Sequence, residues 1–159
     1  MTDHDDLKLS DYQALAEFRY QLRCFLRFSE KAAREAGLEP QHHQLMLAIK
    51  GSPDVGGPRI AYLAERLQIQ HHSAVELVDR LARKGLVARS QGGKDRREVY
   101  VCLTARGERV LRELTQHMRT ELCSAGPALV VALRKLIGSE KLPNRAQPRR
   151  GSSRSGKDR

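Results

Sequence analysis

The apolar residues of this chain change their spacing once, near Gly85, and this change limits the folds that the chain can adopt. Before Gly85 they recur every three or four residues, as on one face of a helix, and after it they alternate along two short stretches. Residues 86–89 and 99–103 are therefore predicted strands, and the glycine-containing residues 90–97 between them predict a hairpin loop. We expect two short helices followed by a two-stranded ribbon at the centre of the chain.

Helices are predicted on both sides of the ribbon. Their limits follow from capping residues and from Gly and Pro. Before the ribbon we predict a first helix capped by Ser10 and Gln13 that ends at Gly37, a second from Pro40 to Gly51, a third from about Pro58 to Leu67 and a fourth from His71 to Lys84. After the ribbon we predict a fifth helix capped by Thr104 and broken at Gly126-Pro127, and a short sixth over 129–137. The predicted fold class is mainly α with a small β-wing (α+β), a winged helix-turn-helix.

The chain length favours a single domain with extended ends. Residues 1–9 are predicted to be a flexible acidic N-terminus because they begin with an acidic, polar stretch, and residues 139–159 a disordered basic tail because they have almost nothing to bury. Within the domain at 10–138, residues 40–103 are the predicted winged unit. The helices over 10–37 and 104–138 have apolar faces too extensive for that unit to cover, so we expect them to pair with a second copy in a homodimer.

The composition favours a polyanionic partner inside the cell. The formal net charge is +10, and Lys and Arg release condensed counterions when they neutralise nucleic-acid phosphates. Three widely spaced cysteines without a CxxC pair indicate neither a disulfide framework nor a zinc ribbon. The N-terminus is unlike a signal peptide, and the sequence contains no apolar stretch of membrane-spanning length. We therefore expect a cytoplasmic protein that does not insert into a membrane.

Two groups of residues are the predicted contacts to duplex DNA. If the fourth helix buries Ala74, Leu77, Val78 and Leu81, its opposite face carries hydrogen-bonding side chains that can enter the major groove. The hairpin loop carries cations that can reach a minor groove, with an aspartate that orients one of them. The predicted contacts are His71, His72, Ser73, Glu76, Arg80 and Arg83 on the helix and Lys94, Asp95, Arg96 and Arg97 in the loop, with Glu76 expected to pair with Arg80.

In this order along the chain, several short motifs resemble the MarR family of bacterial regulators. The motifs are LAERL at 63–67, VDRL at 78–81, KGLV at 84–87, Arg89, DRR at 95–97 and LTxxG at 103–107. The resemblance implies a dimer on a palindromic operator, a wing signature at Asp95 and Arg97, repression of transcription, and often release by a small aromatic effector. It implies no catalytic residues, metal or resident cofactor. The chain differs from the family at Gln68, where the turn commonly has Gly, and at Glu76, where a basic or polar residue is common.

The sequence also contains features of other functions. Cys24 on the first helix could be a redox-sensing thiol, with Arg23 and Arg27 nearby. The pairs His42-His43 and His71-His72, with Glu76, could suggest zinc sensing, although spacing provides only pairs, and we expect most of these histidines to lie at the surface or to face DNA. The basic tail could bind nucleic acid without sequence preference, or the helices could serve only protein contacts. An enzyme has little support, because the sequence lacks HExxH, GxSxG and phosphate-binding-loop motifs.

Overall fold

The computed structural model describes residues 7–54, 56–91 and 99–137, and within them the chain is mostly helical with one small sheet. The elements are α1 (Leu9–Glu35), α2 (Pro40–Lys50), α3 (Ile60–Leu67), α4 (His71–Arg83), β1 (Val87–Gln91), β2 (Val99–Leu103) and α5 (Ala105–Ile137). This order confirms the predicted fold class, a winged helix-turn-helix between two long helices. Within the described residues, the helices are too polar or too short to cross a membrane.

The winged unit has its own apolar core, formed where α2, α3 and α4 pack against the sheet. Its fully buried side chains include residues of α2, α3, α4 and β2: Leu45, Met46, Leu63, Val78, Leu81 and Val101. β1 and β2 are antiparallel, with Val87 opposite Leu103 and Arg89 opposite Val101. The residues before α3 extend this sheet, since Val101 donates its backbone N–H to the Pro58 carbonyl at 3.0 Å.

The long helices α1 and α5 pack side by side and run in opposite directions. Near one end the rings of Phe28 and His117 lie 5.4 Å apart, and near the other Ala14 and Ala132 line the same cleft. The small side chains Ala14, Ala32 and Ala132 are buried along this contact. The pair forms a second layer, joined to the winged unit at the start of α5.

Three predicted boundaries, two of helices and one of a strand, were wrong. α1 begins at Leu9, and its capping interaction is the Asp11 carboxylate accepting from the Lys8 N–H at 2.8 Å, not a box made by Ser10 and Gln13. α3 begins two residues after Pro58, which instead contributes its carbonyl to the sheet. β1 extends two residues beyond the predicted end at Arg89, because the ladder continues to the pair Gln91–Val99.

The predicted break at Gly126-Pro127 was also wrong, since α5 runs unbroken through Pro127 to Ile137. A proline inside a helix removes one backbone hydrogen bond and costs about 3 kcal/mol. That cost is local, whereas Met118 before it and Ala132 after it are both buried along α5. Packing on both sides of Pro127 keeps the two halves in one helix, so the predicted short sixth helix is the last part of α5.

Candidate nucleic-acid interface

The turn between α3 and α4 is closed by a non-glycine residue in the left-handed conformation. Gln68 has φ 54° and ψ 45°. Its side-chain amide donates to the Glu65 carbonyl at 2.7 Å, and the Ile69 N–H after it donates to the Ala64 carbonyl at 3.0 Å. These bonds satisfy carbonyls that the end of α3 leaves free, which offsets part of the strain that an L-residue meets at positive φ. Gln68 therefore makes the turn that Gly commonly makes in the family.

Helix α4 divides into a buried face and an exposed face, as its sequence predicted. Ala74, Leu77, Val78 and Leu81 are buried. His71, His72, Glu76, Arg80 and Arg83 are exposed, and Ser73 is half-buried between the two faces. The predicted contact residues of α4 thus lie outside the protein core, which is the arrangement that a groove-binding helix requires.

The exposed face of α4 contains an acid paired with a base on the same helix. Arg80 Nη2 lies 3.5 Å from Glu76 Oε2, four residues along α4, and both side chains are more than half exposed. This pairing confirms the expectation for Glu76. Water screens the pair, so Arg80 can exchange this carboxylate for a phosphate or a base edge at small cost.

A second ion pair links α4 to the sheet, and the sequence analysis missed it. Arg89 Nη2 on β1 lies 2.8 Å from Asp79 Oδ1 on α4. Both residues stood within the family motifs, but ten residues separate them and no helical spacing relates them. A charged pair shared by two elements is visible in sequence only once the packing of β1 on α4 is known.

The tip of the wing falls outside the described residues. The predicted contacts Lys94, Asp95, Arg96 and Arg97 lie within residues 92–98, of which the structure gives no description. The ladder Gln91–Val99 marks where β1 and β2 lead into that segment. Their role in DNA binding stays a prediction.

The winged unit is attached to α5 through a short junction with close backbone contacts. Thr104 caps α5: its Oγ1 accepts the Gly107 N–H at 3.0 Å and donates to the Gly85 carbonyl at 2.7 Å. A Cβ placed on Gly107 would lie 2.0 Å from the Leu86 carbonyl oxygen, so only glycine fits there. Lys50 and Glu108 add an ion pair of 2.7 Å between α2 and α5. These contacts hold the sheet close against the start of α5 and restrict their relative movement.

The histidines divide into two sites with different surroundings. His42 and His43 are buried, contrary to our expectation that most of these histidines lie at the surface. The sequence does not show this burial, because it results from the packing of the first turn of α2, which begins at Pro40, into the core. Burial lowers the pKa of both imidazoles, and for His42 the nearby Lys84 lowers the pKa further. Each ring leaves a buried Nε2 without a hydrogen-bond partner.

The zinc and thiol hypotheses gain little from these positions. His71 and His72 are exposed on α4, away from the buried pair, and over the described ranges no three His, Cys, Asp or Glu side chains are grouped to hold a metal. Cys24 is exposed on α1. A hydrogen bond to the Cys24 thiol raises the pKa of the Tyr20 hydroxyl.

Two depressions flank the long helices. A notch of about 250 Å³ lies where the end of α1, the end of α4 and the start of α5 meet, lined by Gly37, Leu38, Arg83, Lys84, Leu86 and Arg106. A larger cleft of about 880 Å³ lies between the start of α1 and the last part of α5. The notch borders both the winged unit and the long helices.

Comparison with known proteins agrees with this architecture. Residues 36–98, less than half of the chain, match the model of the MarR family. No curated protein matches the chain. AbsC, a MarR family transcriptional regulator from Streptomyces coelicolor, is a similar solved structure, with 20% identity and a TM-score of 0.67 over 82% of this chain and 91% of AbsC.

Two further similar structures contain bound molecules. A mutant of S. aureus MepR bound to an oligodeoxyribonucleotide is 19% identical, with a TM-score of 0.59 over 79% of this chain and 95% of MepR. CouR from Rhodococcus jostii RHA1, bound to p-coumaroyl-CoA, is 18% identical, with a TM-score of 0.56 over 76% of this chain and 88% of CouR. The family-model match over residues 36–98 and the shared fold together confirm the resemblance drawn from the sequence motifs: this chain has the winged helix-turn-helix fold and resembles the MarR family.

Proposed function

We propose that this protein is a DNA-binding transcriptional regulator that recognises a palindromic operator as a homodimer and represses transcription. The observation that carries the proposal is the exposed face of α4, on which His72, Arg80 and Arg83 point away from the core. A helix that exposes such a face next to a hairpin fits the major groove of a B-form duplex. MepR, which shares the fold, is bound to an oligodeoxyribonucleotide. Binding to chromosomal DNA would take place in the cytoplasm.

Selection of duplexes from a random DNA pool by the full chain tests this function. We expect an enriched inverted repeat whose half-sites are centred about one or two helical turns apart, roughly 34–36 Å per turn. Arg80→Gln should then weaken binding to the selected duplex by about 1–3 kcal/mol. Arg34→Gln is the matched control, because Arg34 is also an exposed partner in an i,i+4 pair, on α1. A pool that yields no preferred sequence would exclude operator recognition.

The wing is tested separately. Replacing Lys94, Arg96 and Arg97 together by Gln should abolish duplex binding if these side chains contact DNA, and should change nothing if the chain is only a protein-interaction module. If binding depends on the basic tail instead, truncation at Ser139 should abolish duplex binding, whereas a truncated protein that binds but loses sequence preference would contradict the proposal. On the proposal the truncation lowers only non-specific affinity, with the salt slope falling by about 0.9 per lost phosphate contact.

The homodimer is supported by apolar side chains that α1 and α5 leave exposed. They are Leu9, Tyr12, Leu15, Leu22 and Leu26 on α1 and Leu122, Val130, Val131, Leu133 and Ile137 on α5. Large exposed apolar surfaces mark interaction sites, and a second copy with the same two helices could cover these side chains. We therefore assign 104–137 and the first helix to dimerisation, and the segment between them to DNA binding.

Sedimentation velocity tests this assignment. Leu26→Glu should shift the protein from dimer to monomer, because it places a charge within the exposed apolar surface. Leu47→Glu is the control, since Leu47 on α2 is 41% exposed and Leu26 is 42% exposed. Two variants that sediment alike would argue against pairing through α1 and α5.

We also propose that a small aromatic effector releases the protein from DNA. The notch beside Arg83, Lys84 and Arg106 supports this, because it borders the long helices and also α4, the proposed recognition helix. CouR, with the same fold, is bound to p-coumaroyl-CoA. Fluorescence anisotropy with the selected duplex and 4-hydroxybenzoate as a probe would detect release, and Arg106→Gln should weaken the effect if the notch is the binding site.

A further inference from the structure

The ion pair between Asp79 and Arg89 lies at the place where the recognition helix meets the wing. β1 packs against α4, and side chains along β1 alternate between two faces. Val87 is buried on the face toward the core, and the fully buried Val101 on β2 lies directly opposite Arg89. Arg89 lies two residues beyond Val87 and therefore on the same face, at the edge of the core. Its guanidinium reaches Asp79 at 2.8 Å instead of extending into solvent.

Arg89 is also the last ion-paired side chain that the structure describes before the wing tip. Gln91 ends β1, and the predicted DNA contacts at 94–97 follow within a few residues. A strand fixed at Arg89 has a defined direction relative to α4, whereas the two-stranded ribbon alone would be marginally stable. The pair thus connects the helix that carries His72 and Arg80 to the base of the hairpin.

We propose that Asp79 and Arg89 are positioning residues that hold the wing at a fixed angle to the recognition helix, so that both reach the duplex together. This inference rests on the proposed function for its effect on DNA. Asp79 itself contacts no DNA in this arrangement. It acts through Arg89 by occupying a guanidinium that would otherwise turn toward phosphate.

The proposal makes a prediction opposite in sign to simple charge attraction. Asp79→Asn removes a negative charge near the DNA-facing surface and frees Arg89, so electrostatics alone predicts tighter binding to any duplex. If the pair holds the wing, the same change lowers the fraction of molecules with a correctly placed wing, and apparent affinity falls in proportion. For a half-exposed pair, we expect about three- to fivefold weaker binding to the selected duplex.

Fluorescence anisotropy at constant salt provides the measurement. Asp79→Asn should weaken binding of the selected duplex, and Asp79→Glu, which keeps the carboxylate, should restore it to within about twofold of the original. Glu30→Gln removes one partner of the Glu30–Arg34 pair on α1 and serves as the control for loss of a surface ion pair. Unchanged or tighter binding by Asp79→Asn would overturn the proposal, as would an equal loss in Asp79→Glu.

A second measurement does not need DNA and separates this inference from the proposed function. Amide hydrogen exchange followed by mass spectrometry should show faster exchange of the β1–β2 ladder, residues 87–91 and 99–103, in Asp79→Asn, with α5 unchanged. If the random pool yields no operator but exchange accelerates in the ladder, the regulator assignment fails and the positioning role stands. Equal exchange in both proteins would remove the positioning role whatever the DNA result.

Discussion

The junction between the winged unit and α5 allows a quantitative prediction for Gly107→Ala. The added Cβ would lie 2.0 Å from the Leu86 carbonyl oxygen, whereas ordinary contacts begin near 3.4 Å. The Leu86 carbonyl must therefore move by more than about 1 Å, and it already accepts the Thr104 N–H at 3.0 Å. Overpacking of this kind costs about 1–3 kcal/mol, and loss of the hydrogen bond adds about 1 kcal/mol. The higher helix propensity of alanine offsets less than about 1 kcal/mol of this loss in stability.

The net expectation for Gly107→Ala is a free energy of unfolding lower by about 1–3 kcal/mol. Urea titration followed by circular dichroism measures it, at one protein concentration because a dimer is expected. Gly56→Ala is the matched control: nothing lies within 4 Å of its added Cβ, and we expect its stability to stay within about 0.5 kcal/mol. If both variants unfold at the same urea concentration, the close approach at Gly107 has been misjudged.

Other expectations concern the cap and the buried imidazoles. Thr104→Val should lower the free energy of unfolding by about 1–2 kcal/mol in urea titrations, because it removes the bonds to Gly107 and Gly85, and Thr120→Val on the exposed part of α5 should change it far less. Burial lowers the pKa of His42 and His43 in the folded protein. As the pH falls, these imidazoles are therefore protonated in the unfolded chain at a higher pH than in the folded protein. The free energy of unfolding should be full above about pH 6.5 and should decrease as the pH falls from there toward the lowered pKa values. His43→Leu should reduce that pH dependence, and a stability unaffected between pH 7.5 and 5.5 would contradict the burial argument.

The sequence was most informative where one periodicity decides the structure. The spacing of Ala74, Leu77, Val78 and Leu81 predicted the buried face of α4, and the alternation in 99–103 predicted β2, because burial on one face imposes those periods. The apolar residues of α1 and α5 predicted faces that the winged unit cannot cover, and many of them are exposed.

Features that depend on contacts between distant elements were not predictable in the same way. Pro127 looks like a helix end because its cost is local, while the packing that outweighs it comes from α1. His42 and His43 occupy core positions that polar residues rarely take, so their sequence suggests a surface. Gln68 reaches the left-handed conformation with help from its own side chain, which no propensity scale encodes for glutamine.

The unbroken course of α5 has a mechanical consequence. Its 33 residues form a rod about 50 Å long, so a tilt of about 5° would move one end by roughly 4 Å relative to the other. Because Thr104 alone separates β2 from this rod, there is no loop to absorb such a displacement. Any molecule that changes the angle between α1 and α5 at the end far from the winged unit would therefore also displace the base of the hairpin.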